Sequence, residues 1–91
     1  MIVTLDETKK WIRVDTDDEN ALIENFITAA EDIVGGVLRF PLSEFEEVPE
    51  AVKQAVFFTT SRFYEERESL DIVSLMNTLR GMLFVYRKDA W

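Results

Sequence analysis

The stretch that decides the fold is residues 49–68, which read PEAVKQAVFFTTSRFYEERE. Pro49 suits the first turn of a helix, where the N–H that proline lacks would have no partner. Val52, Val56 and Phe63 recur at helical spacing, which predicts that one face is buried. Further aromatic residues widen this face beyond the apolar stripe of an ordinary surface helix. The stretch therefore predicts a central helix that is contacted from more than one side, by its own chain or by another.

Three other segments carry helix signals. Thr4 and Glu7 match a capping box, in which the two side chains satisfy each other's backbone donors, and they predict a short helix over 5–12. Apolar residues recur at helical spacing over about 19–38 and again from 69–71 to about 86, which predicts two longer helices. The fold class is therefore all-α, a small bundle of one short and three longer helices.

Local signals predict how the second helix begins and ends. Asp17 or Asp18 is expected to cap its first turn, because a carboxylate there accepts backbone N–H groups and suits the positive end of the helix dipole. Gly35 and Gly36 fall late in the apolar pattern, where glycine costs about 1 kcal/mol in a helix interior. The glycine pair therefore marks either the end of the helix or a close crossing by another element.

The connector over 39–48 is expected to be irregular or to hold a short extended piece. Pro41 ends the preceding helix, because the residue before proline avoids helical geometry. Phe40, Leu42 and Phe45 are too apolar for an idle loop. They either fold back onto the core or wait for a partner, and the sequence favours neither.

Composition limits the classes of function. The 91 residues point to a single domain spanning 1–91, and neither Cys nor His is present. The acidic run from Asp15 lacks an EF-hand clamp, because the twelfth position is Phe26, so no metal is expected. No nucleophile elbow, phosphate loop or dinucleotide fingerprint occurs, so neither an enzyme nor a cofactor is expected. No apolar run approaches the ~20 residues of a membrane span.

Charge is distributed unevenly along the chain. The net charge is −8, which argues against a generally basic surface for nucleic acid. Residues 1–38 carry nine acids and three bases, a balance of −6. Residues 72–91 carry three bases and one acid, a balance of +2. An acidic body with a mildly basic end can stack on a partner of opposite polarity, although ordinary scatter of surface charge gives the same numbers.

An ordered set of short stretches resembles the small head–tail connector (adaptor) proteins of tailed bacteriophages. The set spans nearly the whole chain and consists of TLDE (4–7), WIRVD (11–15), DDE (17–19), LI (22–23), AA (29–30), VP (48–49), VKQAV (52–56), YEERE (64–68), GML (81–83) and YR (86–87). The resemblance implies a non-enzymatic virion protein at the head–tail junction, made in the cytoplasm of a bacterial host. It also implies a ring of copies below the portal protein, with a head-closure or tail-completion protein as a further partner. DNA would pass through the ring without sequence-specific binding.

Two groups of residues are predicted to make the contacts of such a ring. The surplus aromatic surface and the neighbouring polar cluster predict subunit contacts, since Tyr, Trp and Arg are enriched at interfaces. The predicted subunit interface consists of Trp11, Phe57, Phe58, Tyr64 and Arg67. The predicted portal-docking residues are Arg87, Lys88 and Trp91. The alternative interpretation is a small acidic interaction module, a DNA mimic or a regulator of a host protein, which would be a monomer or dimer.

Overall fold

The computed structural model describes residues 2–66 and 68–86. Over these residues the chain forms four α-helices and two short 3-10 turns, with no β-strand among them. In chain order the elements are α1 (Leu5–Ile12), α2 (Asn20–Leu38), a first 3-10 turn (Leu42–Glu44), α3 (Glu50–Glu65), α4 (Ile72–Leu83) and a second 3-10 turn (Phe84–Tyr86). The prediction of an all-α bundle with one short and three longer helices is confirmed.

The centre of the bundle is the pair formed by α2 and α3, which share the most extensive packing in the chain. Both α1 and α4 pack against this pair, so α3 is contacted by three helices of its own chain. The wide apolar face predicted for residues 49–68 is therefore largely explained within one chain. The side chains with no exposed surface in the central pair include Ile23, Ile27, Ala30, Val34, Val52, Ala55 and Val56.

Two threonines of α3 are fully buried, although their hydroxyl groups gave no signal of a core position in the sequence. Thr59 and Thr60 have no exposed surface. Their hydroxyls donate to the carbonyl oxygens of Ala55 and Val56, each over 2.8 Å. Because a bond to the preceding turn satisfies the buried donor, these threonines occupy core positions without an unpaired polar group.

The capping box of α1 is confirmed. The Glu7 N–H donates to the Thr4 hydroxyl over 3.0 Å, and the Thr4 N–H donates to the Glu7 carboxylate over 2.9 Å. The hydrogen bond from the Thr4 backbone is the main cause that holds the pKa of Glu7 below its usual value. The start of the first helix is therefore set by an interaction between neighbouring residues, which can be predicted from the sequence.

The predicted aspartate cap of α2 is wrong. The residue at the cap position is Glu19, and its side chain makes no capping hydrogen bond. The carboxylate of Asp17 instead accepts hydrogen bonds from Lys9 Nζ over 2.9 Å and from Asn20 Nδ2 over 3.3 Å. The carboxylate of Asp17 is thus paired with Lys9 of α1 and does not cap α2. Through these bonds Asp17 links α1 to the start of α2.

Gly35 and Gly36 do not end α2, which continues to Leu38. The cap residue is Arg39, whose φ of 70° is left-handed and whose N–H donates to the Gly35 carbonyl. A Cβ placed on Gly35 would lie 3.4 Å from the carbonyl oxygen of Phe40, and one on Gly36 would have no neighbour within 4 Å. The glycine pair therefore marks neither the helix end nor a close crossing by another helix.

The connector folds back onto the core. It forms the 3-10 turn Leu42–Glu44 where a short extended piece was one of the expected outcomes. Leu42 is buried, and the rings of Phe40 and Phe45 meet with their centroids 5.0 Å apart. Of the two alternatives left open by the sequence, packing on the chain's own core is the one observed.

The last helix is capped by Asp71, whose carboxylate accepts the Ser74 N–H over 3.0 Å. Its buried stripe is made by Leu75, Leu79 and Leu83. The apolar spacing of this segment also predicts Ile72 on the stripe, but Ile72 is exposed, since it occupies the first residue of the helix, at the edge of the bundle. The helix runs without interruption through Gly81.

The burial of α4 predicts a stability contrast between two of its residues. Leu79→Ala removes a side chain with no exposed surface and should lower the free energy of unfolding by about 2–5 kcal/mol. The matched variant Val73→Ala truncates an exposed residue of the same helix and should change it by no more than about 0.5 kcal/mol. Urea unfolding of both variants measures the contrast, and equal losses would mean that α4 is not anchored by Leu79.

The tie between α1 and α2 predicts a dependence of stability on pH. The hydrogen bond from Lys9 is the main cause that lowers the pKa of Asp17 from its usual 3.8. A carboxylate with a lowered folded pKa stabilises the fold above that usual value, and the effect is lost as pH falls through the folded pKa. Asp17→Asn should therefore unfold more easily than the unaltered chain at pH 7, and the difference should shrink below pH 3.8.

Chemical denaturation at pH 7 and at a pH below 3.8 measures the difference in stability between Asp17→Asn and the unaltered chain. The control is Asp15→Asn, an exposed aspartate of the same loop. A gap between Asp17→Asn and the unaltered chain that stays constant with pH would show that the pairing with Lys9 does not stabilise the fold.

Candidate subunit interface

The residues predicted to form the subunit interface separate into two groups. In the first, the indole of Trp11 on α1 stacks on the ring of Phe57 on α3, with centroids 5.9 Å apart and planes 15° from parallel. Phe57 is only 6% exposed, whereas Trp11 retains 42% of its surface. Phe57 therefore supports Trp11 from below, and Trp11 is the member of the pair that a neighbouring molecule can reach.

Tyr64 belongs to the same side of α3, since it lies seven residues after Phe57. Its hydroxyl donates to the carboxylate of Glu19, at the start of α2. The side chain is half-buried, so this bond lies at the border between core and solvent. Tyr64 thus holds the end of α3 against the start of α2 and has part of its ring available at the surface.

The second group lies on a different side of α3. The guanidinium of Arg62 sits over the ring of Phe58, 5.7 Å from its centroid. The same guanidinium pairs with the carboxylate of Glu66 one turn later, with 3.2 Å between Nη2 and Oε1. Such a cation–π contact adds about 0.5–1 kcal/mol at an exposed site. Phe58 is half-buried, and the arginine covers part of the apolar surface that the sequence assigned to an interface.

Four of the predicted contact residues lie outside the described residues. They are Arg67 of the subunit interface and all three portal-docking residues, Arg87, Lys88 and Trp91. Their roles stay predictions.

One exposed apolar surface was missed as a candidate interface. Over the described part of the chain, the large apolar residues that are exposed lie in two places, Trp11 on α1 and a group on α4 and the turn that follows it. Val73 and Phe84 lie off the buried stripe of α4, and neither was predicted to make a contact. The sequence feature that could have identified this surface is its low content of charged residues, since Arg80 is the only one among residues 72–86. The exposed members of the group are Ile72, Val73, Phe84 and Val85.

Trp11 is bordered by charges of both signs, since the three bases of residues 9–13 lie within two residues of it. Glu7 lies one turn before Trp11 on the same face of α1. Asp15 and Asp18 follow in the exposed loop to α2. An exposed aromatic ring with charges of both signs around it is suited to a partner surface with an apolar centre and a polar rim.

One surface depression is an open groove of about 560 Å³ bordered by Ile2, Glu31, Gly35, Arg39 and Phe40. The Glu31 carboxylate there accepts the Ile2 N–H over 2.6 Å, so it fastens the start of the chain to α2. No cluster of His, Cys, Asp or Glu that could hold a metal occurs in the described ranges. None of the helices described is both long and apolar enough to cross a membrane.

The comparison with protein families gives a match over almost the entire chain. The model of the family described as phage gp6-like head-tail connector protein matches residues 2–87. Searches of curated proteins and of solved structures found no match. The matched range contains all four helices, and with them both Trp11 and the exposed apolar group on α4 and the turn that follows it. The chain therefore belongs to the phage gp6-like head-tail connector family, and membership implies a structural role in a phage virion.

Proposed function

We propose that the chain forms a closed ring below the portal of a tailed phage, through which the packaged DNA passes. The ring would complete the filled head and provide the surface to which a head-closure or tail-completion protein attaches. The observation that carries this proposal is the family match over residues 2–87. Copies in such a ring contact one another through two different faces, and the contacts close by rotation.

The distribution of apolar surface supports assembly. Trp11 is held rigidly by its stack on Phe57 and still exposes 42% of its surface. A rigid, partly exposed tryptophan is the kind of residue that contributes most to binding at protein interfaces. Trp11, Phe58, Tyr64 and Arg67 are proposed as subunit contacts, with Phe57 acting through its support of Trp11.

The charge of the chain supports a DNA passage that does not bind DNA tightly. With a net charge of −8, the ring would carry a large excess of negative charge. Proteins hold DNA mainly by neutralising phosphates with Lys and Arg. An acidic wall would instead repel the phosphates and let the DNA slide. We further propose that the protein is not an enzyme, because the chain offers neither His nor Cys as base or nucleophile.

Assembly of the purified chain, alone and in the presence of portal protein, tests the proposal. Native mass spectrometry should detect a closed oligomer under at least one of these conditions. Trp11→Ala should weaken assembly roughly thirtyfold, as expected for a contact residue worth about 2 kcal/mol. The control Lys10→Ala changes an exposed neighbour on the same helix and should assemble normally.

Circular dichroism of Trp11→Ala checks that the helices persist without the stack. A chain that stays monomeric or dimeric alone and with portal would contradict the ring. Binding of such a chain to a host DNA-binding protein would favour the acidic interaction module instead.

The basic end of the chain carries a separate prediction. We propose that Arg87, Lys88 and Trp91 dock on the portal, because the end of the chain is basic whereas the rest of the chain is acidic. Deletion of residues 88–91 should weaken portal binding and cause filled heads to leak DNA, whereas ring formation should persist. A pull-down on portal and a DNA-retention assay measure the two effects, and unchanged values in both would rule out the docking role.

A further inference from the structure

One helix face of the structure is exposed, apolar and nearly free of charge. Val73, Asn77, Arg80 and Phe84 follow one another at spacings of four, three and four residues, so they form one stripe, here named the α4 outer face. Val73 is 70% exposed and Phe84 is 69% exposed. Leu75, Leu79 and Leu83 form the opposite, buried stripe. The apolar residues of the outer face are therefore surplus to the packing of α4 on its own bundle.

The composition of this face differs from the rest of the chain. Charged residues make up 31% of the chain, yet Arg80 is the only one among residues 72–86. A solvent-facing helix usually carries many charges on its outer side. Depletion of charge together with exposed aromatic and aliphatic residues is the composition of the core of a protein interface. The α4 outer face has the character of a surface that another molecule covers.

The chain itself contains a surface that fits this face. Among the described residues, Trp11 on α1 is the exposed large apolar residue that lies away from α4 and the turn after it. Both α1 and α4 pack on the central helix pair and make no extensive contact with each other, so Trp11 and the α4 outer face belong to separate surfaces. Both surfaces are apolar and lie on different helices of the subunit, as the two faces of a heterologous ring contact do.

We propose that the α4 outer face of one subunit covers Trp11 and the adjoining surface of α1 on the next subunit. This inference rests on the ring proposed above and names the two faces that form its repeating contact. Phe84 and Val73 would cover the exposed part of the indole, and Arg80 would lie near the carboxylates around α1. A symmetric pairing of two α4 outer faces would instead bring two Arg80 side chains together and would use up the face in a closed dimer.

Cysteine cross-linking tests which faces meet. The chain has no cysteine, so Lys10→Cys beside Trp11 and Asn77→Cys on the α4 outer face introduce the only thiols. Both positions are exposed, and both substitutions keep Trp11, Val73 and Phe84. A short bis-maleimide applied to the assembled double variant should give a ladder of covalent oligomers that ends at the subunit number of the ring.

Two matched samples provide the controls. A mixture of the two single variants should give covalent dimers only, and the pair Lys10→Cys with Asn25→Cys on α2 should give no ladder. Dimers from Asn77→Cys alone would mean that α4 pairs with itself and would overturn the proposal. Assembly without a ladder would overturn the choice of faces while the ring stands. A chain that assembles neither alone nor with portal would overturn both.

Complementation of two damaged faces gives an independent readout. Phe84→Glu and Trp11→Glu should each weaken self-association by roughly tenfold or more, because each places a charge in an apolar contact. Mixed together, the two variants should form heterodimers, since each retains the face that the other has lost. The surface variant Asn25→Glu should assemble normally. Heterodimers that fail to form between folded variants, while the unaltered chain assembles, would contradict the pairing of these faces.

Discussion

The packing of α2 against α3 is the interaction on which the rest of the structure depends. Neither flanking helix has a partner other than this pair for most of its buried surface, because α1 and α4 both lie on it. The pair is built from β-branched and small side chains with no exposed surface, among them Ile27, Ala30, Ala55 and Val56. Small residues on both helices permit a close approach of the two backbones. Close packing increases the contribution that each buried methyl group makes to the stability of the fold. The threonines that complete the pair turn their hydroxyls back onto their own helix, so the centre remains free of unmet donors.

This central pair limits what the outer helices can bury. A chain of 91 residues buries only somewhat over ~60% of the surface that its unfolded form exposes, so part of its apolar surface must remain outside. On α1 the remainder is one face of Trp11, and on α4 it is the outer stripe that includes Val73 and Phe84. The exposed apolar side chains lie on the two outer helices, α1 and α4. The central helix α3, for which the sequence predicted surplus apolar surface, is mostly buried. A connector ring offers a physical reason for such a distribution, since each copy needs two separate faces for its neighbours.

Local features were predictable from the sequence, and features that depend on distant residues were not. The Thr4–Glu7 box was predictable because its donors and acceptors lie three residues apart. The cap of α2 was predicted wrongly because Lys9, eight residues away from Asp17, takes its carboxylate. Phe57 stacks on Trp11 of a different helix, and no periodicity within α3 could reveal that contact. The ordered set of short stretches, by contrast, was enough to indicate the family that the comparison confirms.

Hydroxyl-radical footprinting of the free chain and of the chain assembled with portal measures which apolar side chains become covered on assembly. Trp11 and Phe84 are exposed in the free chain, and both have reactive aromatic rings. We expect both to lose reactivity together on assembly, while Phe40, packed against Phe45 in the connector, keeps the reactivity that it has in the free chain. Unchanged reactivity of Trp11 and Phe84 in the assembled particle would show that these faces do not join the subunits.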